Sequence, residues 1–201
     1  FILKLKKESK ISKFVTNKQK SLAVRFPKHP LFRKLLKSLA YPLAAPSANM
    51  STRLSSVQTS DVVEEFGSKI KYVLNGGKCR IGVESTIISL LSKPTILRFG
   101  GLDISKIEKV LKKKILIKTN SKKIITPGQF SLHYSPGIPL RTNAKKPKID
   151  EAFVLIKKRK TTFNNYYYLS KKNNLQQSAK NLYSLLRKIK KDGYKKIAIE
   201  K

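Results

Sequence analysis

Hydrophobic positions along this chain change period several times, and each change marks an element. Residues 2–5 (ILKL) and 21–26 (SLAVRF) read as strands, the second ended by Pro27. Leu31, Leu35, Leu36 and Leu39 share one helical face, and Tyr41-Pro42 stops that helix. Residues 42–45 then read as a short buried strand running into a serine and asparagine loop. Thr59, Ser60 and Asp61 are cap candidates for a helix through Val62, Val63 and Phe66, closed by Gly67. Strands follow at 70–74, 86–91 and 95–98, with Lys93-Pro94 turning between the last two. Ser105 and Glu108 have capping-box spacing and open a helix bearing Ile107, Val110 and Leu111, after which 115–118 reads as a strand.

From Asn120 to Lys148 the periodicity fades, and four prolines and two glycines mark a linker. Beyond it, 152–156 and 166–169 read as strands. Ala179, Leu182, Leu185, Leu186 and Ile189 mark a helix ended by Gly193, and 197–199 begins another strand. Strand, helix, strand is the order of a small α/β domain. The expected division is therefore 1–119, a linker at 120–148, and a small domain at 149–201.

Composition narrows the class. The 201 residues, 40% hydrophobic with 17 Phe and Tyr, suffice for a globular core, and no apolar run reaches the roughly 20 residues of a membrane span. This predicts a soluble protein. A single cysteine, Cys79, excludes an internal disulfide framework and fits a reducing, cytoplasmic setting. With only His29 and His133 beside it, a structural zinc site has too few ligands. The first residue is Phe1 with a strand already under way, which reads as a fragment.

The net charge of +34 suggests attraction to RNA, yet it consists of 37 Lys against 8 Arg. Lysine is a hydrated point charge that suits a solvated face as well as a phosphate polymer, so both readings stand. Residues 40–101 depart from the rest, with seven basic and four acidic residues. That span holds an APSAN loop (45–49), an NGG turn (75–77), GVESTI (82–87) and ILRFGG (96–101). Small hydroxyl residues in glycine turns let backbone approach a ligand and supply neutral donors to an anion.

Within the loop, Ser47, Asn49 and Ser51 can present hydroxyl, amide and backbone N–H groups to one anion, although a cap-rich turn uses the same residues. Ser85 sits where a turn enters a strand. No histidine is arranged beside it, so it reads as a hydrogen-bond donor and not a nucleophile, and no covalent nucleophile is assigned. Glu84 fits a general base or a strand-end ion pair. Arg25 and Arg98 lie on apolar strands, where an arginine must be paired or line a cleft, because a buried unpaired charge costs several kcal/mol. His29 reads as a cap or packing residue, and Cys79 as an inert small one.

Together the segments AVRFPKHP (23–30), PLAAPSANMS (42–51), NGGKCRIGVESTI (75–87), ILRFGG (96–101) and PGQFSLHYSPGIP (127–139) resemble the threonylcarbamoyl-AMP synthase family, YrdC-like, in its long two-domain form. The resemblance is strong over 1–139 and weaker beyond. It implies an α/β fold with a twisted mixed YrdC-like sheet, then a linker and a small, truncated Rossmann-like domain. It also implies formation of L-threonylcarbamoyladenylate from L-threonine, bicarbonate and ATP with Mg2+, releasing pyrophosphate, for a downstream threonylcarbamoyl transferase acting on tRNA. On this chain, Arg25, Ala45 and Ser85 are then expected at threonine. Ser21, Ser47, Asn49, Ser55 and Arg98 are expected at ATP, with Tyr134 of the linker folding over the nucleotide. The resemblance places the family's K-x-R half-signature upstream of Phe1, and the family's S-G-x-P-S-P-T stretch is replaced by Ser51-Thr52-Arg53-Leu54-Ser55-Ser56-Val57. The competing expectations are an RNA-binding module, and a relative that keeps the fold without turnover.

Overall fold

A computed structural model describes residues 1–118, 134–160 and 163–201. In chain order the strands are β1 (Ile2–Lys4), β2 (Ser21–Ala23), β3 (Ile87–Ser89), β4 (Thr95–Arg98), β5 (Leu116–Ile117), β6 (Leu140–Ala144), β7 (Glu151–Lys157), β8 (Tyr166–Ser170) and β9 (Lys196–Glu200). The helices are α1 (Lys13–Thr16), α2 (Pro30–Lys37), α3 (Thr59–Phe66), α4 (Ile104–Leu111) and α5 (Leu175–Lys191). They fall into two units: residues 1–46 with 84–118, and residues 47–83 with 134–201. The division expected from composition, at 119 and 149, is a different partition of the chain.

The first unit is a mixed sheet in the order β2-β1-β3-β4-β5. β1 pairs antiparallel with β2 and parallel with β3, β3 pairs antiparallel with β4, and β4 pairs parallel with β5. Its core is small. Ile88, Ile96 and Ile115 are buried, with Ile104, Ile107 and Leu111 of α4 packed against them. Pro30 occupies the first turn of α2, where its missing N–H costs nothing, and His29 Nδ1 accepts the Phe32 N–H at 3.4 Å, the cap role expected of it.

α4 is capped differently from expectation. Asp103 Oδ1 accepts the N–H and hydroxyl of Ser105, both at 2.9 Å, so Asp103 is the cap. Glu108 accepts instead from the Ile115 N–H at 3.0 Å, tying the helix end to the approach to β5. These bonds hold both carboxyls below their usual range: for Asp103 the Ser105 hydroxyl and N–H, for Glu108 the Ile115 N–H and then Lys114.

The second unit is a fully parallel sheet in the order β6-β9-β7-β8, with α5 as the crossover from β8 to β9. β7 lies in its centre, and five consecutive residues from Glu151 are buried, the unbroken pattern of a strand covered on both faces. Ala152, Val154, Leu169, Tyr183, Leu186, Ile189 and Ile197 form one core, which also takes in Leu54 and Val57. Glu151 is buried at the start of β7 and accepts both arms of the Arg141 fork, at 2.9 and 2.7 Å, together with the Lys148 N–H at 2.7 Å. Arg141 first, and the Lys148 N–H with it, pull the Glu151 carboxyl down to about 2.

Five other expectations change. Residues 42–45 are exposed and irregular, not a buried strand, because Pro42 and Pro46 lack donors and no ladder recruits the segment. Residues 70–74 form no strand, and only Ile70 and Val73 are partly buried. The 21–26 strand stops at Ala23, and the 86–91 strand shrinks to Ile87–Ser89. Within the expected linker, residues 140–144 are the edge strand β6. Its polar residues hid it, because an edge needs only one buried side. Residues 120–133 of that linker lie outside the described residues.

Candidate functional site

In the first unit the structure joins two of the expected residues. β4 ends at Arg98, and its guanidinium donates to the Ser85 carbonyl oxygen from Nε at 3.1 Å and from Nη2 at 2.9 Å, and to Ser85 Oγ at 3.2 Å. The half-buried arginine is thus paired, as burial requires. With a guanidinium on one lone pair, the Ser85 hydroxyl keeps its hydrogen to donate.

Gly100 makes this approach possible. A Cβ there would meet Glu84 O, Ser85 C and Thr86 N at 2.3 Å, and the Gly101 N–H donates to Glu84 O at 3.0 Å. Thr86 Oγ1 and the Leu102 backbone complete the seam. The GVESTI and ILRFGG segments are two sides of one backbone contact.

The other expected residues of this unit come from β2 and from the irregular segments after β2 and α2. Ser21 starts β2 opposite Lys4 and is half-buried. Arg25 lies beyond β2 and is exposed, so burial does not demand a partner for it, a correction to its placement on an apolar strand. Ala45 is exposed in the irregular segment before Ser47.

Ser47, Asn49 and Ser55 belong to the second unit, on one loop held by several bonds. Asn49 Nδ2 donates to the carbonyl oxygens of Met50 at 2.8 Å and Arg53 at 3.2 Å, while its Oδ1 is buried without a partner among the described residues. Ser56 Oγ donates to Ala48 O at 2.5 Å. Glu65 Oε2 accepts the Met50 N–H at 2.9 Å, Asp61 Oδ2 accepts the Val57 N–H at 2.9 Å, and the Cys79 N–H donates to Val57 O at 2.8 Å. Thr52 takes φ +70°, a left-handed conformation that strains a β-branched residue. It occupies the place where the resembled motif carries glycine.

The Ser135 N–H donates to Thr52 O at 2.8 Å, and Arg53 and Ser135 form an isolated parallel bridge. Tyr134, next in line, stacks on Tyr183 of α5 with ring centroids 6.0 Å apart. Gly82 is buried against α5, where a Cβ would meet Lys180 O at 2.3 Å. Desolvation and the nearby Asp61 carboxylate push the Cys79 thiol up, away from thiolate chemistry.

Sequence reading missed Asp61 and Glu65 as loop supports, and it missed Arg187, which reaches both. The signal was present. Arg187 is the one arginine of a lysine-rich helix, and Asp61 and Glu65 are spaced by four on α3. Among the described residues, no group of three His, Cys, Asp or Glu side chains is placed to hold a metal ion, and no helix is long and apolar enough to cross a membrane.

The mixed sheet of the first unit and the parallel sheet of the second, with its crossover helix, define an α/β protein. Residues 1–100 match the family model described as Telomere recombination (Sua5, yciO, yrdC), and residues 102–201 match the model described as Threonylcarbamoyl-AMP synthase, C-terminal domain. The chain belongs to the threonylcarbamoyl-AMP synthase family.

Its similarity to the threonylcarbamoyl-AMP synthase of Pyrococcus abyssi is 39% identity over 67% of this chain and 41% of that protein. For that of Schizosaccharomyces pombe it is 39% over 63% of this chain and 33% of that protein, and for that of Bacillus subtilis 36% over 67% and 40%. A crystal structure of P. abyssi Sua5 complexed with L-threonine matches with a TM-score of 0.82 at 28% identity, over 99% of this chain and 63% of that one. The matches thus span about two fifths or less of the curated relatives' length.

Proposed function

We propose that the protein forms L-threonylcarbamoyladenylate from L-threonine, bicarbonate and ATP, a nucleotidyl transfer that serves tRNA modification in the cytoplasm through a downstream transferase. The observation that supports it most is the match of nearly the whole chain to a relative solved with L-threonine. In this reading the neutral threonine amine condenses with bicarbonate, losing water, and a carbamate oxygen attacks the α-phosphorus of ATP as pyrophosphate leaves. Magnesium enters with ATP, since it keeps much of its hydration and binds substrate phosphates. The protein's task is positioning and charge stabilisation, for which no covalent nucleophile is required.

Ser85 donates to threonine with Arg98 fixing its carbonyl and hydroxyl, and Arg25 takes the carboxylate with the Ala45 backbone nearby. Ser21, Ser47, Asn49, Ser55 and Arg98 serve the nucleotide, and Tyr134 serves it from the linker. The whole gene product, including any segment preceding Phe1, is the material to test. Pyrophosphate release should require both threonine and bicarbonate; equal release with serine in place of threonine defeats the assignment.

Arg25→Ala should weaken threonine more than ATP, by about 1.5 to 3 kcal/mol for a lost charged hydrogen bond. Arg98→Ala should weaken ATP more, with a smaller loss for threonine through Ser85. Calorimetric titration of each ligand separates the two, and an unchanged threonine affinity in the Arg25 variant removes that residue from the site.

Charge favours a second, compatible reading, direct RNA attraction. Residues 134–201 carry 18 Lys and Arg against four acids, and three of those acids are engaged: Glu151 by Arg141, Asp192 by Lys188, and Glu200 by Arg159. Binding to tRNA that falls steeply with added salt supports it, and salt-indifferent binding counts against it.

A further inference from the structure

Arg187 projects from the C-terminal half of α5 with its side chain only 15% exposed. Its Nη1 donates to Glu65 Oε1 at 3.0 Å, and its Nη2 donates to Leu54 O at 2.5 Å. Its Nε lies 3.8 Å from Asp61 Oδ2, close enough for charge attraction but without a hydrogen bond. The Glu65 side chain, 4% exposed, is shared: one oxygen takes Arg187, and the other takes the Met50 N–H at 2.9 Å. Met50 follows Asn49 directly, and the Asn49 amide is in turn bonded to Met50 O and Arg53 O. An unbroken path therefore runs from α5 through one guanidinium and one carboxylate into the backbone of the Ser47–Asn49 loop.

From this path we propose that Arg187 is a positioning residue, by which the C-terminal helix sets the conformation of the nucleotide-side loop. The inference rests on the reading above that Ser47 and Asn49 serve ATP.

Two physical points carry it. First, the loop holds a strained residue, Thr52 at φ +70°, and such strain persists only where the surroundings over-determine it. Arg187 supplies two of the restraints, one at Leu54 and one through Glu65. Second, Arg187 balances two buried carboxylates at once. Without it, Glu65 keeps only the more distant Arg53, 4.0 Å away, and the side chain that holds the Met50 N–H loses its hydrogen-bonded charge partner. Lysine is a partial substitute, because it has charge but no planar fork to serve a carboxylate and a carbonyl together. Glutamine at 65 is another, because the donors from Arg187 and Met50, now on separate carboxylate oxygens, are left with one uncharged acceptor oxygen to share.

The test compares the whole gene product with its Arg187→Met, Arg187→Lys and Glu65→Gln variants by two readouts. The first needs no ligand: amide hydrogen exchange over residues 48–54. Exchange should quicken at least tenfold in Arg187→Met and Glu65→Gln, and less in Arg187→Lys, while β7 keeps its protection. The second is titration with ATP and with threonine. ATP affinity should fall about tenfold in Arg187→Met and recover in part in Arg187→Lys, with threonine affinity within twofold of wild type.

Loop exchange equal to wild type overturns the proposal whatever ATP does. So does an equal loss of both ligands, which marks a general structural defect. If Arg187→Met does not fold, the Lys and Gln variants decide by the same criteria. A wild-type protein that binds no ATP defeats the functional reading instead, and the exchange result then stands by itself.

Discussion

The two units of this chain use the same α/β materials with different thoroughness. The second has strands of five to seven residues, a central strand buried on both faces, and a 17-residue helix whose Tyr183, Leu186 and Ile189 enter a continuous core. Among the described residues the first has strands of two to four residues, a core cluster of Ile88, Ile96 and Ile115 with Ile2 and Leu97 buried outside it, and a helix, α2, with no buried residue despite its leucine stripe. Stability follows buried apolar area, so the second unit should open last and the first should open locally at lower cost. Five of the nine expected site residues, Ser21, Arg25, Ala45, Ser85 and Arg98, stand in the weaker unit. The loop residues Ser47, Asn49 and Ser55 and linker residue Tyr134 stand in the stronger one.

The largest effects should come from the two cores. Leu155→Ala removes a fully buried side chain from β7 and should cost about 3 to 5 kcal/mol, visible as a lower denaturant midpoint for the whole second unit. Ile96→Ala, equally buried in β4, should abolish slow exchange in the first unit while leaving β7 and β9 protected. If both variants lower every amide together, the chain is one cooperative body and the contrast fails.

Next are the glycines that admit backbone contact. Gly100→Ala and Gly82→Ala each place a methyl at 2.3 Å from backbone, and each should cost about 1 to 3 kcal/mol as overpacking. Their consequences should differ. The Gly100 variant should lose threonine affinity through the Ser85 and Arg98 seam, whereas the Gly82 variant should chiefly lower the melting temperature, because its methyl displaces α5.

A smaller effect sharpens the same contrast in the opposite direction. Thr52→Gly relieves a left-handed threonine worth about 1 to 2 kcal/mol, offset by roughly 0.4 to 1 kcal/mol of added unfolded-state freedom. The net gain should lie between zero and about 1.6 kcal/mol, read as a slightly higher midpoint of the second unit; a loss means that the threonine methyl or hydroxyl contributes more than its strain costs.

Acid is the gentlest probe, since it changes nothing at neutral pH. The Glu151 carboxyl is held near 2, below its ordinary 4.5, so its contribution is complete above about pH 4.5 and fades as pH falls toward 2. The second unit should therefore lose stability across that window, and Glu151→Gln should flatten the loss. An unchanged acid profile in Glu151→Gln places the sensitive carboxylate elsewhere.

Much of this was legible in the sequence. Where one face alone is buried or a strand is buried throughout, period and turn chemistry suffice: β7, β8, α5 and β9 fall where the apolar spacing puts them, and Gly193 ends its helix at φ +92°. The cost of an unpaired arginine on an apolar strand asked that Arg98 be paired or line a cleft, and it is hydrogen-bonded to the Ser85 carbonyl and hydroxyl oxygens. The same argument misplaced Arg25, because it assumed that the strand continued past Ala23, and strand length is decided by which partner lies alongside.

Other features depend on groups far apart in sequence, which local patterns do not encode. β6 is a strand because β9 lies beside it, although its own residues are polar. Asp103 outcompeted Ser105 for the cap because its carboxylate accepts both the N–H and the hydroxyl two residues on. The loop at Ser47 and Asn49 announced itself by residue type, but its supports come from Glu65 and from Arg187, more than 130 residues downstream of that loop. Sequence alone determined the local periods, the turn chemistry and the family signature, because each is written in neighbouring residues. The tertiary structure decided which charges meet, since a buried carboxylate takes whichever guanidinium the packing of helix and sheet delivers to it.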